Sequence, residues 1–206
     1  MSTLSGAAWS EHAKSSPAFF FHIGTIPANI QRLMQKAIWY PGCPVTLSHL
    51  AYLQLSFWGF DQRSHIGILI VNTELASDAV AIFQVLYQNH FPIAEMKPMY
   101  FFHGNDLASM TANNTTGFQC RSITDSKNFS EHAYGRAIDI NPLINPYIKG
   151  RLVEPSQGKN YIQRNKSQPG IISHSSVVYQ IFHSLGWQWG GDWHTIKDYQ
   201  HFEKAY

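Results

Sequence analysis

Charge is scarce in this 206-residue chain. Asp, Glu, Lys and Arg together make up 14% of it, and 15 basic against 13 acidic residues leave a formal net charge of +2. No run of Lys or Arg occurs, which argues against nucleic acid or an anionic membrane surface as the main partner. Long apolar runs are missing too. The densest, Pro17-Ala18-Phe19-Phe20-Phe21, stops at His22, far short of the ~18–20 residues that span a bilayer, so no membrane span is expected. Met1 to Ser16 has no basic segment leading into an apolar one, so no intact secretory signal is read there. Cysteine occurs twice, at Cys43 and Cys120. That excludes a four-cysteine zinc framework and leaves two readings open: one disulfide, suited to a compartment outside the cytoplasm, or two buried thiols. No internal repeat or linker divides the chain.

Apolar residues are plentiful, at 44% with 14% aromatic, so a folded protein with a sizeable core is expected. Residues 1–18 are rich in Ser and Ala and read as a flexible N-terminus, with one domain over 19–206. Thr25 reads as a helix cap with Pro27 in the first turn, and the helix closes before Pro41-Gly42. Leu53–Phe57 alternates and Ile66–Val71 is apolar but for Gly67, so the turn between them makes a β-hairpin. A second helix opens at Ser77 or Asp78 and must end near His90, ahead of Pro92. Met99–Phe102 reads as a short strand and Gly104–Gly117 as a loop. Arg136–Ile140 reads as a strand, and residues 141–170 as a long excursion of the kind that borders clefts. Ser173–Ser176 caps a third helix that ends at Gly186. Trp187–Trp189 and Gln200–Glu203 complete the strands. The expected class is α+β, an antiparallel sheet with helices packed on one side.

The chemistry-bearing residues gather late in the chain. His132 and Asp139 lie seven residues apart with Gly135 between them, where a tight bend would return the carboxylate towards the imidazole. His201 supplies a second imidazole in a strand-like aromatic run. Two imidazoles and one carboxylate are a catalytic zinc donor set, with one position left for water. A hydrolase of this kind also needs a base for the water's proton and a cation or donors for the developing oxyanion. Asp198, three residues before His201, suits the first role, and Arg121 the second, although Arg121 could instead pair with Asp125 or Glu131.

Ser130-x-His132-x-x-Gly135-x-Ala137-x-Asp139, then Trp189-Gly190-Gly191-Asp192-Trp193 and Asp198-x-x-His201-Phe202, together resemble the D-alanyl-D-alanine carboxypeptidase family of zinc peptidases. The likeness covers residues 118–203. It implies a single zinc-peptidase domain of the carboxypeptidase and hedgehog type, with His132, Asp139 and His201 as Zn2+ ligands. Asp198 takes the acid/base position and Arg121 polarises the scissile carbonyl. The implied substrate is a peptidoglycan stem peptide or another D-amino-acid-containing peptide, cut in D-Ala-D-Ala carboxypeptidase or L-Ala-D-Glu endopeptidase fashion, in the periplasm or outside the cell.

Ser130, Tyr134 and Trp193 are read as lining the substrate path, and Asp192 either as holding a loop or as a partner orienting a ligand histidine. Two rival readings stand beside the enzyme: a catalytically silent zinc-stabilised binding module, as the hedgehog likeness allows, and a phage-type endolysin. The oligomeric state and the role of residues 19–117 are left open.

Overall fold

The computed structural model describes residues 17–123, 126–164 and 168–205. The expected flexible stretch up to residue 16, and Asp125 as a partner for Arg121, lie outside the described residues. The first elements are β1 (Phe21–Thr25), α1 (Ala28–Ala37), β2 (Leu50–Trp58), β3 (Ser64–Asn72) and α2 (Ala76–Gln88). β1, β2 and β3 form an antiparallel sheet in that order, with the expected hairpin at its centre. Thr25 does not cap α1. It ends β1, and Pro27 stands at the N-cap without a side-chain bond.

β2 alternates between two environments. Ala51, Leu53 and Leu55 enter a core with Ala79, Ile82, Phe83 and Leu86 of α2. Leu50 and Tyr52 join Met34 and Ile38, from α1 and the residue after it, on the opposite side. Helices therefore cover both faces of this sheet, not one, because the hairpin carries apolar residues at successive positions and both faces need cover.

Met99–Phe102 is a 3-10 turn after Pro98 and not a strand. The segment read as a loop contains α3 (Asp106–Thr111), capped by Asn105 through a bond its side chain accepts from the Ala108 N–H. It also holds β5 (Asn114–Thr115), which pairs in parallel with β4 (Glu95–Met96). Cys43 and Cys120 form the disulfide, bridging 77 residues.

The rest of the chain is built from strands of two or three residues: β6 (Ala137–Asp139), β7 (Tyr147–Lys149), β8 (Leu152–Glu154), β9 (Gln188–Trp189), β10 (Lys197–Asp198) and β11 (His201–Glu203). They make two further three-stranded antiparallel sheets, ordered β6-β11-β9 and β10-β7-β8. The expected single sheet is thus several small ones, since Asn141-Pro142 and the Gly190-Gly191 turn interrupt every run before it lengthens. α4 (Val177–Ser184) starts as expected, with Ser176 Oγ accepting from the Tyr179 N–H. Phe202 stacks on Phe182 of α4 at 4.0 Å, and Ile138 enters the same core as α2. With a period of two along a strand, this anchoring turns Asp139, His201 and Glu203 to the other face.

Candidate metal centre and catalytic cleft

Register brings the first two ligands together. In the β11–β6 ladder His201 stands directly opposite Asp139 and Phe202 opposite Ile138. Facing residues in such a pair share a side of the sheet about 5 Å apart, and a slip of one strand by one residue would part the two side chains onto opposite faces. Thr116 and Asp139 exchange both backbone bonds, at 3.0 and 2.9 Å, which fixes the second edge of β6.

His132 arrives from a 3-10 turn, Glu131–Tyr134, whose N-cap is Ser130. The turn closes at Gly135 with φ of +68°, where a Cβ would lie 2.6 Å from the Asn72 nitrogen. Both conformation and space demand glycine there, and the bend expected between His132 and Asp139 is this one.

The three side chains are buried, at 2%, 5% and 5% exposure for His132, Asp139 and His201. His132 Nε2 is 3.2 Å from His201 Nδ1 and 3.2 Å from Asp139 Oδ2, and His201 Nδ1 is 3.0 Å from Asp139 Oδ1. Tetrahedral zinc with bonds of 2.0–2.1 Å separates its donors by ~3.3 Å, so the spacing suits the ion.

The outward ring nitrogens are engaged as well. His132 Nδ1 is 2.6 Å from the Gly117 carbonyl, and His201 Nε2 is 2.9 Å from Glu203 Oε2. An N–H donated outward to each acceptor leaves the inward nitrogens as lone-pair donors, the arrangement that orients metal-binding imidazoles. Among the described residues no other group of three His, Cys, Asp or Glu side chains converges in this way. The residues fit a zinc ion.

Electrostatics agree. Burial would raise the Asp139 carboxyl, but the adjacent His132 and His201 outweigh it and hold the group well below the usual carboxylate range. For His201 burial favours the neutral ring, yet its bonds to Asp139 and Glu203 carry it up to about 10 with only protein groups around it. A metal ion bound here would displace a proton from this ring.

Beside the triad lies a cleft of about 470 Å3. Asp198 lines it from β10, opposite Tyr147 of β7. The residue is partly exposed overall, but its Oδ1 is sealed from solvent and lacks a hydrogen-bond partner. Burial pushes its pKa up to about 7, opposed by His201, assisted by the charge of Asp139 and again opposed by Gln200. Gly190 presses on the backbone here: a Cβ there would lie 2.6 Å from the Asp198 carbonyl oxygen.

Arg121 lines the cleft too, and its Nε lies 3.2 Å from Asp106 Oδ2, an ion pair without hydrogen-bond alignment. Ser130 and Trp193 line the same cleft, the Trp193 ring lying 5.4 Å from that of His201. Tyr134 is not brought to the lining; its ring meets Phe129 edge-on at 6.4 Å. Asp192 does not orient a ligand histidine, because it pairs with His174 at 2.6 Å.

Sequence reasoning missed several participants. Glu203 had a signal, since it lies two residues after His201 on one strand and so on the same face. The Gly117 carbonyl had none. Asp106 and Met110 reach the cleft from α3, a helix absent from the sequence reading.

Residues 124–204 match the family model described as D-alanyl-D-alanine carboxypeptidase. The matched stretch contains His132, Asp139, Trp193, Asp198 and His201, and leaves Asp106 and Arg121 outside. No curated protein and no solved structure matches the chain.

Proposed function

We propose that this protein is a zinc-dependent peptidase that hydrolyses bacterial cell-wall stem peptides, as a D-Ala-D-Ala carboxypeptidase or an L-Ala-D-Glu endopeptidase. The observation that carries the reading is the orientation of the triad. Gly117 and Glu203 hold the outer nitrogens of His132 and His201, so the inner nitrogens and Asp139 converge on one point. Such convergence in a family whose members are peptidases supports turnover as well as metal storage.

A zinc ion held by His132, Asp139 and His201 would supply Lewis acidity, polarising a carbonyl and acidifying a water. The chain's own groups do the rest. Asp198, with a pKa of about 7, is matched to taking a proton from the attacking water and returning it to the leaving amine near neutral pH. Arg121, paired in charge with Asp106 and adjoining Cys120 of the disulfide, stabilises negative charge on the carbonyl oxygen. Trp193, Phe129, Met110 and Ile196 give the cleft apolar walls, which strengthen both interactions by excluding water.

The disulfide supports an oxidising compartment such as the periplasm or the cell exterior, where the polymer lies. No helix among the described residues is long and apolar enough to cross a membrane. The test is digestion of purified peptidoglycan by the zinc-loaded protein, with fragments identified by mass spectrometry. New D-alanine or new L-alanine C-termini, absent with Asp198→Asn, support the reading. An undigested polymer, and no cleavage of isolated stem peptides, defeats it.

A further inference from the structure

The Trp-Gly-Gly-Asp-Trp segment does more than press Gly190 against Asp198. On its far side lies a second pocket of about 460 Å3. Trp193 lines both this pocket and the catalytic cleft, so the two adjoin at one residue. The pocket floor is aromatic. Trp187 and Trp189 are almost wholly buried, at 2% and 4% exposure, and Trp193 is half-buried. The rim is polar and exposed, made by His183, Gln188, Asp192 and His194.

Two of these rim groups have side-chain partners. Asp192 Oδ1 is bonded to His174 Nε2 at 2.6 Å, and the His174 ring stands edge-on to Trp189 at 5.2 Å. His183 stacks on Tyr179 at 5.5 Å with the rings 7° from parallel. Pre-ordered polar groups around an aromatic floor describe a ligand site more than a surface dent.

The chemistry of the lining narrows the ligand. No Lys or Arg lines the pocket, so it is not built for a phosphate or carboxylate. Its single carboxylate is already paired, so it is not built for a strong cation. Imidazole, carboxamide and carboxylate groups instead suit hydroxyls and acetamides, which both donate and accept. The electron-rich indole face suits the C–H face of a pyranose ring.

We infer that this pocket is a glycan subsite for N-acetylhexosamine units, and that a ligand spanning Trp193 carries its peptide in the catalytic cleft and its sugar here. The inference rests on the peptidase reading for the peptide half of that ligand. The sugar half stands on the pocket alone.

Two measurements on the zinc-loaded full chain test it. The first titrates tri-N-acetylchitotriose while following the tryptophan indole N–H resonances. The second compares KM and kcat for a stem peptide with those for the same peptide attached to its disaccharide. The expected results are saturable binding that shifts the Trp193 signal, and a KM about tenfold lower for the glycopeptide, about 1.4 kcal/mol, with similar kcat. In the double variant Gln188→Ala and His194→Ala, both on exposed side chains, chitotriose binding weakens at least about tenfold and the KM advantage disappears.

Bare peptide cut as well as glycopeptide, with no chitotriose binding at millimolar concentration, overturns the glycan subsite and leaves the peptidase standing. Chitotriose binding that the double variant does not weaken overturns it as well, by placing the sugar elsewhere. Chitotriose binding lost in the double variant, with neither peptide cut, upholds the subsite and overturns the peptidase reading.

Discussion

The two ends of this molecule are built by different means. The N-terminal part has strands of nine residues and a helix of thirteen, closed by apolar side chains. The C-terminal part has strands of two or three residues, and polar side chains bonded to backbone close it alongside its apolar core. Asn145, fully buried, donates to the Ile140, Asn141 and Gly170 carbonyls and accepts from the Ile172 N–H and from Arg164. Arg164 in turn donates to the Ile144 and Ile172 carbonyls and lies over the Tyr199 ring at 4.5 Å.

A regular sheet satisfies its own backbone and needs only cover. An irregular one needs side chains to do so, and in return it can set a carboxylate or an imidazole at positions a long ladder would not offer. The N-terminal part then acts as a support that reaches the site through the carbonyl of Gly117, the pair Asp106–Arg121 and Met110.

That contrast can be broken from either side, and the largest effect belongs to the irregular half. Asp198→Asn should lower kcat by about 10²–10⁴-fold while zinc content, measured by metal analysis, stays at one per chain. A simultaneous loss of zinc would mean that Asp198 is a ligand and not a proton carrier. Opening the disulfide with the paired Cys43→Ser and Cys120→Ser changes should cost about 2–4 kcal/mol of stability, read from denaturant melts. Zinc affinity of the refolded protein should barely move, because the triad lies beyond the bridge.

Glu203→Gln removes the charge behind His201 and should weaken zinc binding about 10–100-fold in a chelator competition. Asp106→Asn should lower kcat by roughly tenfold, a loss of about 1.4 kcal/mol, with KM little changed. A double change with Arg121→Met should cost no more than Arg121→Met alone, and additive losses would separate Asp106 from Arg121.

The smallest effect concerns pH. The folded-state pKa of Asp198, about 7, lies above the ordinary 3.8. Its burial therefore costs stability only once the carboxyl ionises, with the full cost above the folded value and none below the unfolded one. Metal-free Asp198→Asn should melt a few degrees above wild type at pH 8 and level with it near pH 3.5.

Much of the site was legible because its residues sit close together in sequence, on motifs whose spacing reflects one turn and one ladder. His132, Gly135 and Asp139 belong to a bend and the strand after it, and Asp198 and His201 to two adjoining short strands. Where a partner comes from far away and is a backbone group, as Gly117 is for His132, no residue type announces it.

The fold was legible where runs were long, as in the β2–β3 hairpin and α2, whose apolar periods extend over several turns or pleats. It failed where elements are short. Met99–Phe102 is apolar enough for a strand but follows Pro98 into a tight turn, and α3 has only six residues, too few for a period to emerge. Tyr134 followed the site in sequence but turned to Phe129, because consecutive residues of a tight turn point in different directions.

The measurement that tests the central claim most directly is a calorimetric zinc titration of the metal-free protein, repeated in buffers of different ionisation enthalpy and with His132→Ala. One zinc should bind per chain, release at least one proton from the His201 site near pH 7, and bind far more weakly in the variant. Binding that His132→Ala leaves untouched, or no tight binding by the wild-type chain, would contradict the assignment of His132, Asp139 and His201 as a metal centre.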